Sequence, residues 1–272
     1  MPLITVTASI GCGARSVARA LAGMLGLELY DDDRLQHEAV SMGYSSEDLK
    51  AFDIKAPGLF DRLLRRRTDM YDELMAAVIY EVARRGEGII MGHGAFYFLK
   101  DFSCALHLRL HASTSFRVQR LVDLNLAHRE AARSVMEKRD HEIKGFLDFL
   151  FQIDWNDLSL YDLVINVDKL GIDAAAEAVA QVVQADPIRE CSLGAVDSMA
   201  KLSLMRRVAV AVMKDNINIH ELGIEVPEPG VVRLTGLINP PRSTTGMIEL
   251  VQSVSGVKKV ICEAKKYPSI KM

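Results

Sequence analysis

The chain has 272 residues, 49% of them hydrophobic and 25% charged, with a formal net charge of −3. That balance excludes wholesale disorder, and the length suits one large or two ordinary domains. No run approaches the ~20 consecutive apolar residues of a membrane helix, and MPLITVTASIGCG has no basic flank or apolar core of a secretory signal, so a cytoplasmic location is expected.

Leu3–Ala8 is β-rich and mostly apolar, as a central parallel strand should be. It runs into the glycine-bearing stretch Ser9–Ala14 and then into a helical pattern, Arg15–Leu25. Leu27–Tyr30 is the next expected strand, closed by the acidic run Asp31–Asp33. From about Asp33 to Arg85 the pattern is helical, with a break near Pro57–Gly58. Short apolar strands follow at Gly88–Met91 and Cys104–Leu110, helices over about 113–151, a fifth strand at Leu163–Val167 and a helix at Ile172–Val183. Strands alternating with helices predict a parallel α/β sheet covered on both faces. Past Pro187 the order changes to helix (196–213), strands (223–226 and 231–237), helix (244–254) and strand (257–263), a small α+β unit of αββαβ order. Domains are therefore expected at 1–185 and 195–272, joined by a linker at 186–194.

Four cysteines (Cys12, Cys104, Cys191, Cys262) lie far apart without a C-x-x-C pair. That spacing predicts free thiols in a reducing compartment, with neither a zinc site nor a disulfide framework. The charge divides unevenly: 12 basic and 8 acidic residues from Pro187 onward give +4, and 21 basic and 28 acidic before it give −7. Neither value marks nucleic acid as the main partner.

The loop Gly11-Cys12-Gly13-Ala14-Arg15-Ser16 sits where a buried strand meets a helix. Backbone N–H groups there can cradle phosphate oxygens, and glycines allow close approach. Arg15 can add a charge-assisted contact, and the Ser16 hydroxyl can face Mg²⁺. On the loop alone, a phosphate cradle and a plain strand-to-helix turn stand as equal readings. Cys12 fits as a small residue in that turn.

Beyond the loop, ITVTASIGCGARSVARALAGMLGLELYDDDRL, IIMGHGAFYFL, LRLHASTSFRVQRLV and DWNDLSLYDLVINVDKLGI occur in order over residues 1–183. Together they resemble the cytidylate kinase-like family of P-loop nucleoside monophosphate kinases. The resemblance implies a P-loop kinase-like sheet, use of ATP and Mg²⁺, and a pyrimidine monophosphate such as CMP as acceptor. It also implies donor phosphates on Gly11 through Ser16, an acceptor side lined by Asp31 and His93, and a lid carrying Arg139, Asp140 and Lys144. Relatives read G-R-G where this chain has Gly92-His93-Gly94, and a lid arginine where it has Ile143. A neutral histidine cannot present a guanidinium fork, and isoleucine cannot stabilise a moving phosphoryl group. Two functions are thus carried forward: a nucleotide kinase, and a catalytically weak nucleotide-binding regulatory protein.

Arg62, Arg65, Arg66 and Arg67 form a basic helical cluster, read as a solvated face with Asp61, Asp69 and Asp72 or as a phosphate clamp. Arg117 and Arg120 lie on a helix that leads towards the lid, where they read as an exposed i, i+3 pair or as a nucleotide contact by one of them. Trp155 is expected to pack where lid rejoins core, and Phe146–Phe151 on the core. Residues 195–265 resemble a BON domain through Gly230, Gly236 and Ser255-Gly256-Val257. That resemblance implies a protein or anionic membrane-surface partner, served by Lys258, Lys259, Lys265, Lys266 and Lys271, which read equally as a solvated sheet edge.

Overall fold

The computed structural model describes residues 2–45, 48, 65–124, 128–185, 188, 191–238 and 243–266, with the side chains of 65–68 and 266 left aside. Five parallel strands form the main sheet in the order β2-β3-β1-β4-β5. They are β1 (Leu3–Ala8), β2 (Leu29–Tyr30), β3 (Gly88–Met91), β4 (Ala105–His111) and β5 (Leu163–Asn166). Central β1 pairs with β3 from Leu3↔Gly88 and with β4 from Leu3↔Ala105. Parallel pairing requires crossovers, which α1 (Ala14–Leu25), α2 (Asp32–Ser41), α3 (Arg65–Ala83), α4 (Ala95–Phe98), α5 (Thr114–Asp123), α6 (Arg129–Phe151) and α7 (Val167–Val182, broken at Gly171) help supply. All strand C-termini therefore meet at one edge, where β1 runs into the glycine loop.

The alternation of β1 feeds two cores. Ile4 and Val6 pack with Val17 and Leu21 of α1 and Val179 of α7. Leu3 faces the other side, in a cluster with Leu74 and Val78 of α3, Phe146 and Phe151 of α6, and Trp155. The apolar end of α6 thus packs on the core, as the sequence predicts. Among the described residues, the stretch expected to be helical over 33–85 contains α2 and α3. Pro57, Gly58 and Arg62 lie outside the described residues, as do the side chains of Arg65, Arg66 and Arg67.

The second face of β1 and β4 carries buried polar groups. Thr5 Oγ1 lies 2.8 Å from His107 Nδ1, and Arg109 donates to Ser9 Oγ at 3.2 Å with its guanidinium 3.9 Å from the Trp155 ring centroid. Burial lowers the affinity of His107 for a proton, against an opposing pull from Asp162. A histidine depressed in the folded state leaves more protons on the unfolded chain, so folding stability is present above the ordinary histidine pKa of ~6.5 and is lost as pH falls below it. The urea midpoint should therefore drop more steeply from pH 7 to pH 5 in the wild-type protein than in His107→Asn. Parallel slopes would show that His107 titrates normally.

The C-terminal part follows the expected order, with α8 (Leu193–Lys214), β6 (Leu222–Glu228), β7 (Val231–Ile238), α9 (Thr244–Gln252) and β8 (Lys259–Cys262). The expected last strand, 257–263, is β8, and a short β9 (Lys265–Lys266) beyond it continues along β7. Helix α8 serves two cores because it is apolar on two faces. Leu204, Val208 and Val212, at i, i+4 and i+8, enter the small sheet's core, whereas Met199 and Val210 join the core around α3. On the α3 side Arg206 pairs with Glu73 at 2.6 Å, and Ser203 donates to Glu81 at 2.9 Å. The small C-terminal sheet is thus packed along α3 through helix α8.

The expectation of four free thiols is corrected. Cys104 and Cys191 form a disulfide, their Cα atoms 4.9 Å apart, and only Cys12 and Cys262 are free. Spacing could not show this, because the two residues stand 87 positions apart and meet only when α8 docks.

Candidate phosphate-binding site

The glycine loop threads between α5 and α7. Gly11 and Gly13 both have left-handed backbones (φ 80° and 90°). A Cβ on Gly11 would sit 2.9 Å from the Arg117 carbonyl oxygen, and one on Gly13 would sit 2.8 Å from Ile172 Cδ1. Only glycine fits either place. Gly13 begins α1 without a side-chain cap, which leaves the first N–H groups of the helix to an anion. Cys12 is buried beneath the loop, and burial raises its thiol pKa, so it is a packing residue there.

Two arginines from α5 hold this loop. Buried Arg117 donates to the Ile10 carbonyl and to Asp140 Oδ2, each at 2.6 Å, so it ties loop to lid helix. Arg120 donates to Ser16 Oγ at 3.0 Å. A cavity of about 670 Å³ opens over the loop, and Arg15, Arg19, Arg120 and Arg139 contribute to its wall, as do Asp32, His93 and Ile143. Four guanidinium groups against one carboxylate make this wall strongly basic.

The remaining sequence-predicted residues fall in different places. Asp31 accepts the Arg34 backbone N–H at 3.2 Å as the cap of α2, and its other oxygen lies 3.6 Å from Arg15. Asp31→Ala should cost about 1 kcal/mol of stability and Asp31→Asn much less, as measured by urea unfolding, since Asn caps equally well. Equal losses would make the Arg15 pair the dominant role. Asp140 is engaged by Arg117, and Lys144 is exposed and outside the cavity wall, so neither lines the space above the loop. Arg139 does line it, while pairing with Glu142 at 3.1 Å.

His93 occupies a tight turn in which Gly92, His93 and Gly94 all have positive φ. A Cβ on Gly94 would meet Phe151 Cε2 at 2.5 Å, which explains the second glycine. The imidazole is buried and engaged at both nitrogens, Nε2 by Asp32 at 3.0 Å and Nδ1 by the Tyr71 hydroxyl at 3.0 Å. The hydrogen bond from His93 holds the Asp32 carboxyl below its ordinary pKa. Sequence reasoning missed Arg19 and Tyr71, and reached Asp32 only as part of the acidic run Asp31–Asp33, which reads as an acceptor or Mg²⁺ contact or as a helix start. Arg19 lies four residues after Arg15 and so on the same helix face, a signal that was available. Tyr71 reaches His93 only because α3 packs there, and nothing in the local sequence announces it.

A parallel sheet in this strand order, with a glycine loop leading from its central strand into an uncapped helix, defines a P-loop kinase-type domain. The model of the cytidylate kinase-like family matches residues 3–169, and the chain belongs to that family. Similar proteins include a cytidylate kinase from Pyrobaculum islandicum, 27% identical over 64% of this chain and 89% of its own length. A cytidylate kinase from Staphylothermus marinus is 26% identical over 68% of this chain and 97% of its own. The crystal structure of an uncharacterized protein from Eubacterium ventriosum, 19% identical, covers 68% of this chain and 99% of that one with a TM-score of 0.54, and shares the fold.

Proposed function

We propose that the protein transfers a phosphoryl group from ATP to a nucleoside monophosphate, with CMP as the first acceptor to test. The observation that carries this reading is the basic cavity over the glycine loop, with arginines on its wall from α1, α5 and α6. In such a transfer an acceptor phosphate oxygen bonds to the γ-phosphorus, the bond to the bridging oxygen breaks, and ADP leaves. The protein's part is positioning and charge stabilisation. Gly11 through Ser16 would hold the donor phosphates, Arg15 and Arg120 flanking them, and Arg139 would approach from the lid helix. Mg²⁺ asks the protein for few oxygens when phosphates supply the rest. Ser16 Oγ fits that part, since it accepts one bond from Arg120 and keeps a lone pair. Ser16 Oγ would thus be the protein oxygen that holds Mg²⁺, which would supply neutralisation of phosphate charge. The reading places the protein in a nucleotide-holding compartment, the cytoplasm, with the BON-like unit as the element for a protein or anionic-surface partner.

A second reading, a nucleotide-binding regulator with weak turnover, draws on His93 and Ile143. The first is locked by Asp32 and Tyr71, and the second places an apolar side chain on the cavity wall. A phosphotransfer assay with ATP, Mg²⁺ and a panel of nucleoside monophosphates, run beside Arg15→Ala, decides between them. Turnover stimulated by one acceptor and lost in the variant supports the kinase. Thermal stabilisation by ATP without turnover, also lost in the variant, supports the regulator.

A further inference from the structure

A second basic cavity, of about 240 Å³, lies away from the glycine loop where α3, α8, the β6–β7 turn and the segment before β8 converge. Its wall carries Arg84, Lys201, Arg207 and Lys258 against a single carboxylate, Glu81. That carboxylate is already committed, to Arg84 at 2.5 Å and to the buried Ser203 hydroxyl at 2.9 Å. Lys201 pairs with Asp197 outside the cavity wall at 3.0 Å. Among the described residues, neither Arg207 nor Lys258 forms an ion pair. Two cations thus face one concavity with no ion-pair partner of their own, and the one carboxylate in its wall, Glu81, feels the Arg207 charge while being bound to Arg84 and Ser203.

The backbone around them is shaped for close approach. Gly230 and Gly256 both have left-handed φ (81° and 94°) and both line the cavity. A Cβ on Gly256 would lie 3.8 Å from Arg207 Nη1, in the space before the guanidinium. A Cβ on Gly230 would meet Lys258 Cγ at 2.9 Å. At Gly256 the left-handed φ rather than crowding calls for glycine, and at Gly230 the absence of a Cβ also leaves room for the Lys258 stem. A guanidinium and an ammonium converging on a small concavity suit a tetrahedral polyanion, which takes several donors at once. Leu204, Val226 and Pro229 supply an apolar flank for the organic part of an ester.

We propose that this cavity is a binding site for a phosphate or diphosphate ester, held by Arg207 and Lys258. A ligand there would clamp the C-terminal unit onto α3, the same helix whose Tyr71 holds His93.

The test uses the full chain carrying Arg120→Ala, which weakens the glycine-loop site, and titrates it with pyrophosphate by calorimetry. Vesicles of phosphatidylcholine containing phosphatidic acid form a parallel arm read by co-sedimentation, because the same phosphoryl chemistry is carried by a free ester and by a lipid head group. Lys258→Glu is the main added variant, since that side chain is exposed and its replacement leaves the core untouched. Arg207→Gln is the second. The expected result is binding in the Arg120→Ala background that weakens at least tenfold with either added substitution, in one arm or the other. Response to pyrophosphate assigns a soluble ester, and response to vesicles alone assigns a lipid phosphate. Affinities unchanged by Lys258→Glu and Arg207→Gln, or no binding in either arm, would overturn the proposal.

Discussion

Arg120→Ala is expected to lower phosphotransfer from ATP by about 10²–10³-fold, the range for removing one preorganised donor to a developing charge. The guanidinium comes from the last turn of α5 and donates to Ser16 Oγ, so it stands beside the first turn of α1 where donor phosphates would lie. It also lies against the loop itself, since a Cβ on Gly13 would come within 3.2 Å of its Cζ. The side chain is only half-buried and Ser16 opens on the cavity, so truncation strands no buried polar group. The unfolding midpoint should consequently stay within about 0.5 kcal/mol of wild type. Arg120→Lys should recover part of the rate, because an ammonium keeps the charge and loses the fork. Lys144→Ala, exposed and off the cavity wall, should stay within about twofold of wild type. Steady-state rates with ATP and the preferred monophosphate check all three. A full rate in Arg120→Ala would remove this residue from the site, and ATP affinity measured by calorimetry gives the same comparison if turnover is weak.

Much of the architecture is legible in local pattern, because a parallel sheet writes its strands as short apolar runs. Leu3–Ala8 and Gly88–Met91 form with the bounds their composition predicts, and the glycine loop follows from two residues that only a left-handed turn requires. The site is less legible because its partners come from distant segments. Asp140 looks like a lid carboxylate in sequence, but buried Arg117 on the neighbouring helix claims it. His93 looks like a weakened phosphate ligand until Asp32 and Tyr71, 61 and 22 positions away, take both its nitrogens. Arg109 gives no local hint of its place beneath Trp155. Pairwise choices of this kind depend on how helices pack, and no periodicity encodes them. The same holds for α8, whose apolar residues read as one core-facing helix and in fact divide between two cores.

Breaking the Cys104–Cys191 bond should produce the largest loss of stability among these substitutions, about 3 kcal/mol for Cys191→Ser. The bond closes a loop of 87 positions, and cross-linking so distant a pair removes much of the freedom of the unfolded chain, with typical gains of ~2–4 kcal/mol. For a chain of this size the loss corresponds to roughly 6–12 °C in melting temperature. Cys104 is buried in the core around α3 and Cys191 is only partly so. Cys104→Ser should therefore cost more than Cys191→Ser, since it adds a buried hydroxyl to the lost cross-link. Thiol titration of the oxidised protein in denaturant should count two reactive groups, Cys12 and Cys262, and four after reduction. Four groups before reduction, or equal melting temperatures with and without reductant, would place the tie between the two units elsewhere. The compartment then decides how much of this stability the protein holds. A glutathione-poised cytoplasm favours the reduced thiols, and α8 would then rest on its apolar contacts with α3, on Arg206–Glu73 and on the Ser203–Glu81 hydrogen bond. Burial raises the Glu73 carboxyl pKa despite its Arg206 partner, so the docked helix holds a proton on Glu73 more readily than the undocked chain does, and this group favours attachment more as pH falls toward the ordinary carboxylate range. In the reduced protein, mild acid should therefore not loosen α8 through Glu73. Hydrogen exchange in α8 at pH 7 and pH 5 reads this directly, and protection that drops at pH 5 would show that the Arg206–Glu73 charge pair outweighs burial of the carboxyl.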